Sequence, residues 1–155
     1  MNQSAATPSG SPAPGSARAV RRERGKHIAL LVLQVIIGLF FVLASAVPKL
    51  IAHSSAVESF DEIGAGLWLM YVVGVLELAG GIALATPWLS GLSAVCLIGL
   101  MIGAFITQMT VFDGEYAATP LLMIVPLALI AWGRRDTLLA LPGLLRRNSR
   151  TGTAA

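Results

Sequence analysis

Four long apolar bands divide this chain, and polar or charged stretches separate them. The bands run over about residues 28–47, 67–85, 91–112 and 120–132. None alternates as a strand would, and none shows the half-polar face of a soluble amphipathic helix. The first three are about 19–22 residues long, and a bilayer core needs about 20 in a helix. They predict membrane-spanning helices. The fourth, Pro120 to Trp132, reaches only about 20 Å. It must extend outward through Ala117, thin the bilayer locally, or be sheltered by its neighbours. Thr119-Pro120 reads as its N-cap and first helical residue, and Pro126 can kink it. A fifth apolar stretch, Leu138 to Leu145, is too short to span and is broken by Pro142-Gly143, so it predicts an interfacial segment. The fold class is therefore all-α: a polytopic membrane four-helix bundle.

The connections carry their own patterns. Pro48-Lys49 should end or kink the first span. In the first loop, Val57, Phe60 and Ile63 fall at helical spacing among Glu58, Asp61 and Glu62. That predicts a short amphipathic helix, ended by Gly64-Ala65-Gly66, lying as a lid on the bundle mouth. Thr86-Pro87-Trp88-Leu89-Ser90 is an uncharged tight turn, and Asp113-Gly114-Glu115-Tyr116 an acidic loop.

Polar residues inside the bands are few. Glu77 lies near the middle of the second, about 15 Å from Leu67, where an acid costs about 2.5–3.5 kcal/mol on insertion scales. Two readings stay open: a hydrogen-bonding anchor of the bundle, or a contact for a proton, substrate or quinone. Gly80 and Gly81, three and four residues on, admit a close helix neighbour beside it. Gln34 and Gly38 lie in the first span, and Gly99-x-x-x-Gly103 in the third forms a small-residue helix-packing face. Thr107, Gln108 and Thr110 are candidates for interhelical hydrogen bonds or for the wall of a cavity that also holds Lys49. Lys49 either snorkels to the interface or turns inward toward Glu77 or an anion. A direct pair with Glu77 requires the first helix to continue past Pro48 or the second to begin later; otherwise water or Thr107 and Gln108 must bridge. A metal site is not expected near His53, since no second nitrogen or thiolate lies at ligand spacing.

Composition agrees with the bands. The chain is 55% hydrophobic and 12% charged, where a soluble domain is about a quarter charged. Of eleven Lys and Arg, five precede the first span, five follow the fourth, and Lys49 alone lies between. Both odd-numbered loops are acidic, so the N and C termini are expected to be cytoplasmic. Trp88 and Trp132 then mark the inner interface, Trp68 and Tyr116 the outer. This distribution reads as lipid contact and orientation, not nucleic-acid binding. Residues 1–27 are expected to be a disordered basic tail, 28–133 the membrane domain, and 134–155 an interfacial segment with a basic tail. Ala44-Ser45-Ala46 fits a signal-cleavage pattern, but the apolar run is too long for a signal core, so the span should be retained. Cys96, the single cysteine, is expected to be a packed and inert thiol.

Pro48-Lys49-Leu50, then Phe60 and Gly64, then G-V-L-E-L-A-G-G from Gly74 to Gly81, then Pro87, Met101, Ala104 and Pro120 resemble the DoxX-like family of small four-helix membrane proteins. The resemblance covers about Ile28 to Trp132, and Lys49, Glu77 and the Gly80-Gly81 pair match its motif. It implies a plasma (inner) membrane subunit or scaffold of a redox or detoxification system, with no catalytic centre of its own evident. Quinone or lipid in the bundle, partner redox enzymes and self-association are the ligands and partners it implies. A small proton-coupled transporter or channel using Glu77 and Lys49 is the alternative.

Overall fold

The computed structural model describes residues 14–135, and every regular element among them is helical. Helix α1 runs over Pro14–Leu39 and continues through a π-helical stretch, Phe40–Ala46, into α2, Val47–Leu50. Helix α3 is Ser54–Glu62, α4 Gly66–Ala85, α5 Ser90–Thr110 and α6 Ala118–Gly133. Three of these helices are long and apolar enough to cross a membrane: Val20–Leu50, Gly66–Ala85 and Ser90–Thr110; α6 is a shorter apolar helix. Starting at Ala118, α6 is about 24 Å long, so it gains length by extending outward, and the expected Thr119 N-cap is replaced by Ala117 without a side-chain cap.

Two boundaries depart from expectation. Residues 14–27, assigned to a disordered tail, are helical. Ala17 to Lys26 is rich in Ala and Arg, both good helix formers, and a helix already nucleated in the first span propagates outward at little cost. Lys26 also pairs with Glu23 one turn earlier at 3.0 Å. The second is at Pro48, where the helix does not end but is distorted just before the proline. An α-helical turn there would drive the proline ring into the carbonyl of Ala44. The chain widens instead, and the Val47 N–H bonds to the carbonyl of Val42, five residues back. The remainder of the amino-terminal tail, the interfacial segment at 138–145 and the basic carboxy-terminal tail lie outside the described residues.

Short connections make α1, α4, α5 and α6 alternate in direction. One end of the bundle, the α3 end, holds α3 and the α5–α6 loop. The other, the turn end, holds the α4–α5 turn and the end of α6. Aromatic residues mark both: Trp68 and Tyr116 are exposed at the α3 end, Trp88 and Trp132 at the turn end. The closed core comprises Ile37, Phe41, Leu84, Ala94, Leu97, Met101, Leu127 and Ile130, contributed by all four long elements. Outside it, residues such as Ile36, Leu43, Val75, Ile82, Ile106, Leu122 and Val125 are exposed. An exterior this apolar requires lipid rather than water around it. Cys96 stands on this outer surface and is not packed inside.

Candidate functional site

Helix α4 buries a single stripe, Met70, Gly74, Glu77, Gly81 and Leu84, spaced four, three, four and three residues apart. Glycine on either side of the acid sets how close the first helix comes. A Cβ on Gly81 would stand 2.8 Å from the carbonyl oxygen of Gly38, and one on Gly38 2.7 Å from that of Gly81. A Cβ on Gly74 would stand 3.1 Å from Lys49 Cβ. The first helix therefore lies close against α4 over about two turns, from Gly74 to Gly81, with Glu77 between them. Gly80 points elsewhere: a Cβ there would meet Leu97 of α5 at 2.7 Å. The two glycines thus serve two different helix contacts, where the sequence reading placed both on the face of Glu77.

Lys49 reaches Glu77 directly. Its Nζ donates to Glu77 Oε2 at 2.8 Å and to the carbonyl and hydroxyl oxygens of Ser45, both at 3.1 Å. The Glu77 side chain is 4% exposed and that of Lys49 18%. The π-helical stretch makes this possible. It carries the helix past Pro48, so that Ser45 and Lys49 lie one turn apart on the face turned to α4. No bridge through α5 is needed. Thr107 donates to Gly103 O at 3.1 Å and Thr110 to Ile106 O at 2.9 Å, both within their own helix. The expected interhelical bonds from these two threonines do not form.

The ion pair forms part of the wall of a cavity of about 610 Å³ at the α3 end, between the end of the first helix, α3, α4 and α5. Ser45, Thr107 and Gln108 line it with the pair, Ser55, Ser59 and Tyr116 are further polar lining, and Val73, Leu100, Met101, Ala104 and Phe112 supply apolar wall. Helix α3 covers the mouth with Ser59, Phe60 and Ile63, the lid role its spacing predicts. The chain reverses into and out of α3 at left-handed residues: Ala52 at φ 51°, then Gly64 and Gly66 at φ 74°. His53 caps α3, its Nδ1 accepting from Ser55 N at 3.4 Å, so its role here is structural.

Gly99 and Gly103 also line this cavity, and nothing lies within 4 Å of a Cβ built on either. Among the described residues no helix packs on them, because the first helix leans on α4 and leaves the space before α5 open. Gln108 Oε1 is buried and has no hydrogen-bond partner among the described residues.

All four candidate polar residues, Lys49, Glu77, Thr107 and Gln108, thus surround one space. Sequence reasoning missed Ser45 as the third member of the charged cluster and Gly74 as the residue that admits Lys49. Both signals were present, at four residues before Lys49 and three before Glu77. Far from this site, Gln34 is fully buried near the turn end, where Arg134 Nη2 donates to its Oε1 at 3.4 Å. That contact shelters the polar groups of α1 and α6 and does not reach the cavity.

Neither a curated protein nor a solved structure matches the chain. The sequence profile of the DoxX-like family matches residues 32–132, from the first span to the end of α6, and takes in Lys49, Glu77 and every wall of the cavity. With its apolar exterior and three helices of spanning length, the chain is an integral membrane protein that belongs to the DoxX-like family.

Proposed function

We propose that the chain crosses the plasma membrane four times with both termini in the cytoplasm, and serves as a ligand-holding membrane subunit of a redox or detoxification system. The observation that carries this reading is the cavity: a mostly apolar space of about 610 Å³ between the apolar helices, with one buried ion pair on its wall. A volume of that size fits the head and first tail segment of a quinone or lipid. The closed, committed Lys49–Glu77 pair is a fixed wall on which a ligand can be oriented. Partner enzymes would supply the chemistry, as the family resemblance implies. The terminal basic clusters and acidic odd-numbered loops support the orientation. The packing of the first span supports its retention, since cleavage after Ala46 would remove Gln34, Gly38 and Phe41 from the bundle.

The test is purification from the native membrane, followed by mass spectrometry of bound lipids and co-purifying proteins. A quinone or lipid retained near one per chain, together with a redox enzyme, is the expected result. Substrate-dependent proton uptake by the protein alone in liposomes would instead support the transporter reading, which the buried acid on a cavity wall favours. A reporter fused after Ala155 should be cytoplasmic and one inserted near Ser55 external; the reverse would overturn the orientation.

A further inference from the structure

The hydrogen-bonding capacity left over at the cavity wall has a sign. Lysine has three protons to donate and nothing to accept with. All three of those on Lys49 are committed, to Glu77 Oε2, Ser45 O and Ser45 Oγ. A carboxylate only accepts, and Glu77 uses one oxygen: Oε1 has no partner among the described residues. Gln108 Oε1 is buried and without a partner among the described residues, but it is closed off from the cavity, so it adds no acceptor a ligand can reach. Hydroxyl groups such as Ser45 can turn either way and do not discriminate, and Gln108 can rotate its amide. The fixed groups do discriminate: the donor is used up and the acceptor is half free.

Resting on the reading of this cavity as a ligand site, we infer that it takes an uncharged amphiphile presenting a hydroxyl donor to Glu77, and disfavours at that position anions and ligands that only accept. For a quinone couple this selects the reduced, dihydroxy form. The oxidised form carries only carbonyl acceptors, which would face the Glu77 carboxylate and leave both sides unpaired. An anion fares worse, because the Lys49 charge is already neutralised and every proton on it is taken. A neutral glyceride has the same hydroxyl chemistry and is the other source of such a ligand.

Isothermal titration of the purified protein in lipid nanodiscs, corrected against empty nanodiscs, tests this with para-octylphenol, its methyl ether and para-octylbenzoate. The phenol should bind about tenfold more tightly than the ether or the benzoate. Equal or tighter binding of the ether or the benzoate would overturn the inference while leaving the cavity a ligand site. Absence of binding by all three would overturn the cavity reading and the inference with it. Glu77→Gln keeps the shape and brings a donor, so the preference for phenol over ether should shrink to about threefold or less; an unchanged ratio would mean that Glu77 does not meet the ligand. Displacement of the phenol by a monoacylglycerol identifies a lipid as the source, and failure to displace it a hydroquinone.

Discussion

The two ends of this bundle use the same small residue for opposite purposes. Toward the turn end, glycines bring helices together: Gly38 against Gly81, Gly80 against Leu97, Gly133 against Leu30, each with a neighbouring atom within 3 Å of where a Cβ would sit. Ser93 adds a hydrogen bond to Gly80 O at 2.6 Å across the same contact. Toward the α3 end, Gly99 and Gly103 face empty space. The closed half is a core and the open half a cavity, and the Lys49–Glu77 pair sits where they meet. A glycine in an apolar run therefore signals close approach only where a second helix converges on it. Here the first helix leans onto α4 through Gly81 and Gly74, which closes one contact and opens the space in front of α5.

The pair at the boundary should give the largest effect. Lys49→Met leaves the Glu77 carboxylate buried without its partner, a loss of about 3 kcal/mol or more. Glu77→Gln should cost less, about 1–2 kcal/mol, because Lys49 keeps both Ser45 contacts and the amide oxygen can still accept. The double variant should be less harmed than the sum of the two, since no charge is left facing an apolar wall. Thermal unfolding of the four proteins in one detergent measures this cycle. Strictly additive losses would mean that each residue acts apart from the other, and that the boundary is not a coupled unit.

The closed half comes next. Gly81→Ala places a methyl group 2.8 Å from the Gly38 carbonyl and 2.9 Å from a Val42 methyl, and a backbone oxygen has little room to give. Overpacking of this kind costs about 1–3 kcal/mol. Gly80→Ala should cost less than Gly81→Ala, because the atoms it meets are the end of the Leu97 side chain, which can turn away. The same unfolding measurement ranks the pair, and equal losses would argue that the first helix does not hold its close approach to α4.

Much of this was legible in the sequence. The spans follow from apolar length, the lid from the spacing of Val57, Phe60 and Ile63, and the importance of Glu77 from its solitude in the second band. Lys49 was recognisable as a candidate, and a direct pair was one of two open readings that the sequence did not decide. The direct pair depends on a π-helical turn upstream of Pro48, and hydropathy carries no trace of one inserted residue per turn. Gly99 and Gly103 show the converse limit. Their four-residue spacing is identical whether a helix covers them or not, and the covering helix is set by where α1 leans, a long-range outcome of Gly38 meeting Gly81.

The smallest effect is also the one that separates packing from ligand space. In a helix interior, glycine is less favourable than alanine by about 0.5–1 kcal/mol, and a methyl group at Gly99 or Gly103 meets no atom of this chain. Gly99→Ala and Gly103→Ala should therefore each raise the thermal stability of the purified protein slightly. They should also narrow the cavity on the side opposite the ion pair, so binding of an amphiphilic ligand should weaken while stability rises. Opposed shifts of this kind would mark the open half as space kept for a ligand. If the two glycines instead receive a helix of a second copy in the membrane, the added methyl groups would obstruct that contact, and the oligomer would dissociate at lower detergent concentration with no gain in stability. Unfolding and size analysis on the same samples distinguish the two, and a loss of both stability and self-association would convert this half of the bundle from a ligand cavity into a subunit interface.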